Sequence, residues 1–216
     1  MRRRLFLAST GAAALARPAS AAPLPVPPSG SIGFKVLRNG SPIGEHHLLF
    51  TQTGDTLRVD INAALVVRIA GIAVFRYTAA ATEIWSGGVF QSFESRVNDD
   101  GNNLQVHAER VTDGYAITGT HVPRYIGPPN TLPLTYWNKA LWNGIILNVQ
   151  TAHSYPAIVN SPGWNRLPTA DGGTVVAQRF DVTGKLHLSV WYDQYEQWSG
   201  LAFHVHGYEN YEKLPA

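Results

Sequence analysis

The 216-residue sequence contains no cysteine, which excludes disulfides, thiolate metal sites, cysteine nucleophiles and a lipoprotein anchor attached through a thiol. Charge is scarce as well. Only 15% of the residues are Asp, Glu, Lys or Arg, against roughly a quarter in ordinary soluble domains. Yet 44% are hydrophobic, so the chain has the apolar content to fold and does not read as disordered. No apolar run approaches the ~20 residues of a membrane-spanning helix. Also missing are G-x-S-x-G, G-x-x-x-x-G-K-[ST], G-x-G-x-x-G and H-E-x-x-H, so no familiar nucleophile elbow, phosphate loop, dinucleotide fingerprint or zinc-protease helix is present. Helical periodicity is nearly absent.

What is present begins with a targeting signal. Residues 1–22 carry Arg2, Arg3, Arg4 and Arg17, no acid, a moderately apolar stretch at 5–16 and the small residues Ala19-Ser20-Ala21, the layout of a cleaved signal peptide. Arg3-Arg4-Leu5-Phe6-Leu7 matches the twin-arginine pattern, and the Ala/Gly-rich apolar stretch followed by Arg17 suits that route better than the general secretory one. The expected partner is the twin-arginine export machinery, the expected location periplasmic or secreted, with no transmembrane anchor. Removal of these residues takes away four arginines and leaves 13 Lys+Arg against 15 Asp+Glu, so the net charge moves from +2 to −2. A mature chain of that sign with no basic cluster argues against nucleic-acid binding. Residues 23–30, Pro23-Leu24-Pro25-Val26-Pro27-Pro28-Ser29-Gly30, read as a short, stiff Pro-rich linker.

From residue 31 the dominant pattern is two-residue alternation between turn signals. Asn39-Gly40 between apolar runs is a strong hairpin signal. Further strands are expected at 57–67, 72–77, 82–97, 104–111 across Asn98-Asp99-Asp100-Gly101, 115–121, 174–182, 185–192 and 198–208. Pro123, Pro128, Pro129 and Pro133 mark 122–133 as a Pro-rich loop, because proline donates nothing to a ladder. Residues 135–144 suit short helical turns. The expectation is all-β: one domain over 31–216, a single antiparallel meander of about ten strands, curled into a barrel-like or half-barrel sheet.

In order along the chain, Phe34-Lys35-Val36 with Asn39-Gly40, Ile43-Gly44-Glu45-His46, Glu83-Ile84-Trp85, Asn98-Asp99-Asp100-Gly101, Tyr136-Trp137-Asn138 and Trp191-Tyr192-Asp193 before Trp198 resemble the exported bacterial proteins grouped as domain of unknown function 6134. The likeness spans roughly residues 31–211. The resemblance implies a periplasmic, mostly β protein without an established activity. By looser analogy the meander looks like the curved sheets of periplasmic lipoprotein carriers, an analogy of fold that assigns no function.

Chemistry-bearing residues are few. His204 and His206 alternate as strand neighbours do and are the candidate metal ligands, with Glu45, His46 or His47 as a third if the first hairpin borders the last strand; the other reading is a solvent-facing pair. Glu83, Glu94, Asp193 and Glu196, with a base such as His187, are the acid/base candidates. Asp193 equally fits a turn residue accepting backbone N–H groups, and Glu83 an internal ion pair with Arg68, Arg76 or Arg96. The 23 aromatic rings are the stronger signal. Many must be core, but Trp85, Trp137, Trp142, Trp191 and Tyr192 are the candidate lining of an apolar ligand site on a concave sheet. The run at 63–73 offers a small, apolar surface whose alternative reading is a buried strand pair around Gly71. The leading expectation is therefore binding or carriage of an apolar or lipid-like small molecule. The alternatives are a metal-assisted hydrolase using His204/His206 and a structural envelope-interaction module.

Overall fold

The structure, a computed structural model, describes residues 23–205 and 207–215. The expected signal peptide and His206 lie outside the described residues. Eight strands come first: β1 (Ser31–Arg38), β2 (Ser41–Thr53), β3 (Thr56–Ile69), β4 (Ile72–Ser86), β5 (Val89–Asp99), β6 (Asn102–Val111), β7 (Gly114–Gly119) and β8 (Val122–Gly127). An insertion follows, with β9 (Thr131–Pro133), a 3-10 turn at Lys139–Asn143, β10 (Ile145–Leu147) and β11 (Ser154–Pro156). The last five strands are β12 (Ile158–Pro168), β13 (Thr174–Thr183), β14 (Leu188–Tyr192), β15 (Trp198–His204) and β16 (Tyr208–Lys213).

Thirteen strands form one antiparallel sheet in the order β12-β13-β14-β15-β16-β1-β2-β3-β4-β5-β6-β7-β8, and β11-β10-β9 form a small second sheet. The two halves of the meander join where β1 pairs with β16, Phe34 opposite Lys213 through Arg38 opposite Glu209. The first hairpin therefore does border the last strands. Closure fails elsewhere: β8 and β12 are both edges, and residues 128–157 connect them.

The described residues thus form sixteen strands rather than about ten, and the sheet is rolled but open. The stretch 122–133 supplies β8 and β9 rather than only a loop. Its prolines are accommodated because β8 is an edge strand, with Pro123 at the slipped register between Ile117–Tyr125 and Gly119–Val122. β12, which has no strand signal in the sequence, is the other edge, and its register slips between Asn160 and Gly163, on either side of Pro162.

Local turn chemistry explains the regular part. Asn39-Gly40, Ala70-Gly71 and Asp100-Gly101 all have positive φ at both central positions, the type I′ conformation whose twist matches paired strands. These three turns lie at one end of the sheet, here the Asn39 end. The turn around Asp193 lies at the other, where the Asp193 carboxylate accepts the N–H groups of Tyr195 and Gln197. Gly44, at φ 151°, passes so close to β3 that a Cβ there would collide with the Ala64 carbonyl.

Alternation puts one face of the sheet inside. Phe34, Leu48, Val59, Phe93 and Val190 share a single buried cluster with Trp137, Leu141 and Ile146 of the insertion. The insertion is a plug crossing the rolled sheet: the Ser95 hydroxyl of β5 donates to the Val149 carbonyl at 2.7 Å, and the Trp142 indole donates to Tyr192 of β14 at 2.8 Å. The Pro-rich segment 23–30 packs as well, with Leu24 and Val26 against the core and the Gln197 amide donating to the Pro25 carbonyl at 3.0 Å.

Candidate functional site

Glu83 of β4 is fully buried where the plug meets the sheet, and its Oε2 accepts the indole N–H of Trp85 at 2.7 Å and of Trp137 at 3.0 Å. Oε1 has no hydrogen-bond partner. Desolvation pushes this carboxyl up to about 7, and the hydrogen bonds it accepts only partly offset it. No arginine is involved, contrary to the ion-pair expectation. Arg68 and Arg76 stand on the β3–β4 hairpin beyond the plug, and Arg96 is exposed on the outer face. The indoles replace a cation because they supply directed N–H donors without a second charge to desolvate.

Of the five aromatic residues expected to line a ligand site, Trp85, Trp137, Trp142 and Tyr192 are inside and buried. Trp85 and Trp137 pack edge to face 5.5 Å apart. Trp142 donates to the Tyr192 hydroxyl, which donates to the Tyr136 carbonyl at 2.7 Å. Trp191 is not with them. It packs on the opposite face of the sheet with Ala177 and Ala202, under the Arg179 guanidinium 5.6 Å from its ring.

Toward the Asn39 end the inward-facing rings change character. Tyr77 of β4, Tyr136 and Tyr155 of the plug, and Phe203 and Tyr211 of β15 and β16 are only partly buried, although all but Tyr77 pack against the same core. Ala63, Ala79 and Ala81 face them from β3 and β4, where small side chains leave room. The result is a cluster of four phenols around Tyr136. Burial raises all four tyrosine hydroxyls, Tyr77 to about 12, and those of Tyr77, Tyr155 and Tyr211 each lie near enough to Tyr136 to interact with it electrostatically. The Gln150 amide donates to Tyr77 at 2.7 Å. Tyr136 adopts φ +68°, a costly conformation for a bulky residue that persists only where the surroundings impose it.

His46 of β2 lies beside this cluster. It is buried, both ring nitrogens lack a partner, and the rings of Trp198 and Tyr211 stand 5.4 and 5.8 Å away, edge-on. Desolvation, with a smaller push from His47, lowers its pKa to about 4. The imidazole is therefore neutral at physiological pH. Glu209, half-buried beside Tyr211, has its carboxyl raised by burial, which Arg38 counters.

The remaining candidates do not converge. His204 ends β15 with an exposed ring 5.1 Å from Tyr208, so the strand stops before position 206. Among the described residues no three His, Asp or Glu side chains come together as a metal site. Glu94 contacts His107 at 3.4 Å, Glu196 contacts Lys139 at 2.8 Å, and His187 is exposed in a turn. A recess of about 610 Å³ on the outer face is lined by His47, Asn62, Ala80, Arg96 and Gln105, but none of the buried titratable groups faces it.

The sequence contains every ring of the phenol cluster but not their meeting. Tyr77, Tyr136, Tyr155 and Tyr211 follow no period, and Tyr211 reaches His46 only because β16 pairs with β1.

An antiparallel sheet that wraps its own insertion without closing is a barrel-like domain. The chain belongs to the family described as Domain of unknown function (DUF6134), whose model matches residues 34–214. Among solved structures it is similar to a β-barrel-like protein of domain of unknown function DUF1849 from Brucella abortus, with TM-score 0.59 and 5% identity over 85% of this chain and 94% of that one. At that identity the likeness is one of fold. No curated protein matches.

Proposed function

We propose that the protein binds an apolar, lipid-like molecule in a recess at the phenol cluster toward the Asn39 end. One observation supports this: the inward rings of Tyr77, Tyr136, Tyr155, Phe203 and Tyr211 keep some exposure, whereas those of Trp137, Tyr192 and Trp198 are fully buried. Soluble proteins bury such rings unless something else covers them. The recess combines apolar walls with a few convergent polar groups, the usual composition of a small-molecule site. Phenol hydroxyls, Gln150 and neutral His46 suit an uncharged polar end or a carboxyl group on an otherwise apolar ligand.

Titration with a fluorescent fatty-acid analogue tests this. Tyr155→Ala is expected to weaken binding by about tenfold or more, since a stacked ring and a hydroxyl are lost, with the far-UV spectrum and melting transition intact. Trp191→Ala, on the other face, is expected to leave binding unchanged. Equal affinity for the Tyr155 variant and the parent would remove the recess from consideration.

We further propose that the protein is exported through the twin-arginine route and acts in the periplasm or outside the cell. Arg3-Arg4-Leu5-Phe6-Leu7 and the weakly apolar segment after it support this. N-terminal sequencing of the protein recovered from the cell envelope is expected to begin near residue 22 or 23; an intact N-terminus found only in the cytoplasm would contradict it.

A further inference from the structure

The β3–β4 hairpin outruns its neighbours. β2 stops pairing with β3 at Gly44–Leu65, and β5 stops pairing with β4 at Tyr77–Asp99. Arg76 is still tied to the β5–β6 turn through the Asp100 backbone and carboxylate. Residues 66–75 then continue as a ribbon paired only with itself, Val67 opposite Phe75 and Ile69 opposite Ile72. At about 3.4 Å per residue the ribbon projects on the order of 15 Å from the sheet.

Its composition is unlike any other turn of the molecule. Eight of the ten residues at 66–75 are apolar, the others being Arg68 and Gly71. Ile69, Ile72 and Val74 are 65%, 70% and 48% exposed. A two-stranded ribbon is marginal in water on its own, and aliphatic side chains at its tip add nothing to its solubility.

We propose that this hairpin is a membrane-docking finger that inserts its tip, Ile69–Ile72, into the interface of a bilayer bearing anionic headgroups. Three observations select lipid over a protein partner. The finger is convex, and apolar side chains emerge from both of its faces as well as its tip, so a medium that surrounds it covers it better than a flat surface does. Arg68 lies one residue from the tip and Arg76 at the base, and no acid occurs between them, the charge that complements anionic headgroups. The unpaired outer edges of the ribbon need hydrogen-bond partners, which confines insertion to the hydrated headgroup level, roughly 5–10 Å deep. Asp99 and Asp100 beside the base set the same limit by repulsion. The finger sits at the Asn39 end, so docking brings the phenol cluster toward the bilayer, although docking itself does not depend on what binds there.

The test uses the chain from residue 23 onward, which contains every element of the domain. Co-sedimentation with vesicles of 70% phosphatidylcholine and 30% phosphatidylglycerol is compared for the parent, an Ile69→Ser/Ile72→Ser variant and an Arg68→Gln variant. The replaced side chains are largely exposed, so folding is unaffected. The parent is expected to bind, and the double serine variant to bind about tenfold or more weakly. Arg68→Gln is expected to lose most of the preference for phosphatidylglycerol over pure phosphatidylcholine. Because the sequence lacks cysteine, Ala70→Cys takes an environment-sensitive fluorophore at the tip alone, and its emission is expected to shift blue on vesicle addition. A parent that stays in solution, a serine variant that binds as well as the parent, or a dimer that the serine variant dissolves without any vesicle binding would each overturn the proposal, the last in favour of self-association.

Discussion

Glu83→Gln is expected to gain stability over the parent as pH rises from 4.5 to 7, by about 3 kcal/mol at the upper end. In the folded protein the Glu83 carboxyl titrates near 7 rather than at its ordinary 4.5. Between those values the native state holds a proton that the unfolded state has released, so ionisation progressively destabilises the fold. Each pKa unit corresponds to about 1.4 kcal/mol. Gln keeps the oxygen that accepts the two indole N–H bonds and cannot ionise, so it matches the protonated parent at low pH and surpasses it near neutrality.

His46 has the opposite sign. Its folded pKa near 4 lies below the ordinary 6.5, so the unfolded state binds the extra proton. Stability from this residue is present above 6.5 and is lost as pH falls toward 4. The two contributions largely cancel across the shared window, and each single substitution exposes the other. Relative to the parent, His46→Leu is expected to lose about 3 kcal/mol of its advantage as pH rises from 4 to 6.5. Urea midpoints for both variants and the parent, taken at half-unit steps from pH 4 to 8, read these slopes directly. Difference curves that are flat for both would mean that neither group is buried as described.

Trp137→Ala is expected to cost about 3–5 kcal/mol, the range for deleting a large buried aromatic ring. Trp137 is fully buried, packs edge-on against Phe50 at 5.2 Å and Trp85 at 5.5 Å, and is one of two donors to Glu83. Its loss opens a cavity where the plug meets the sheet and leaves Oε2 with a single donor. For a domain of this size that corresponds to a fall of roughly 10 °C or more in melting temperature. Trp137→Phe separates the two effects: most of the packing stays, the N–H goes, and the expected cost is about 1–3 kcal/mol. The Trp137→Phe cost should depend on pH in the parent and lose that dependence when combined with Glu83→Gln. A Trp137→Ala variant melting with the parent would show that the insertion does not hold the rolled sheet.

The regular half of this fold was legible because short-range chemistry dictates it. Asn39-Gly40 and Asp100-Gly101 fix type I′ turns, and strict alternation in β2, β3, β5 and β6 sets which face is inside. Asp193 in its turn was equally readable, since its carboxylate needs only neighbours two and four residues away. What stayed hidden depends on distant segments. Prolines at 123, 128, 129 and 133 signal a break in any ladder, and nothing local says that β8 is an edge strand where such a break is harmless. The partners of Glu83 are hidden for the same reason: Trp85 is two residues away in sequence, but Trp137 arrives from an insertion 54 residues away. Aromatic abundance points to Trp85, Trp137, Trp142 and Tyr192 inside but equally to Trp191, which lies on the other face, and it does not tell fully buried rings, such as Trp137 and Tyr192, from partly exposed ones, such as Tyr136 and Tyr155. That difference depends on how distant segments pack, and no residue pattern records it.

The phenol cluster at the Asn39 end is proposed to hold an apolar molecule. Native mass spectrometry of the protein purified gently from cells, compared with its mass after denaturation, tests this most directly. The expected result is an organic adduct, released on denaturation and diminished in Tyr155→Ala. A bare mass for the parent under conditions where the fold survives, together with no uptake of the fatty-acid analogue, would contradict it.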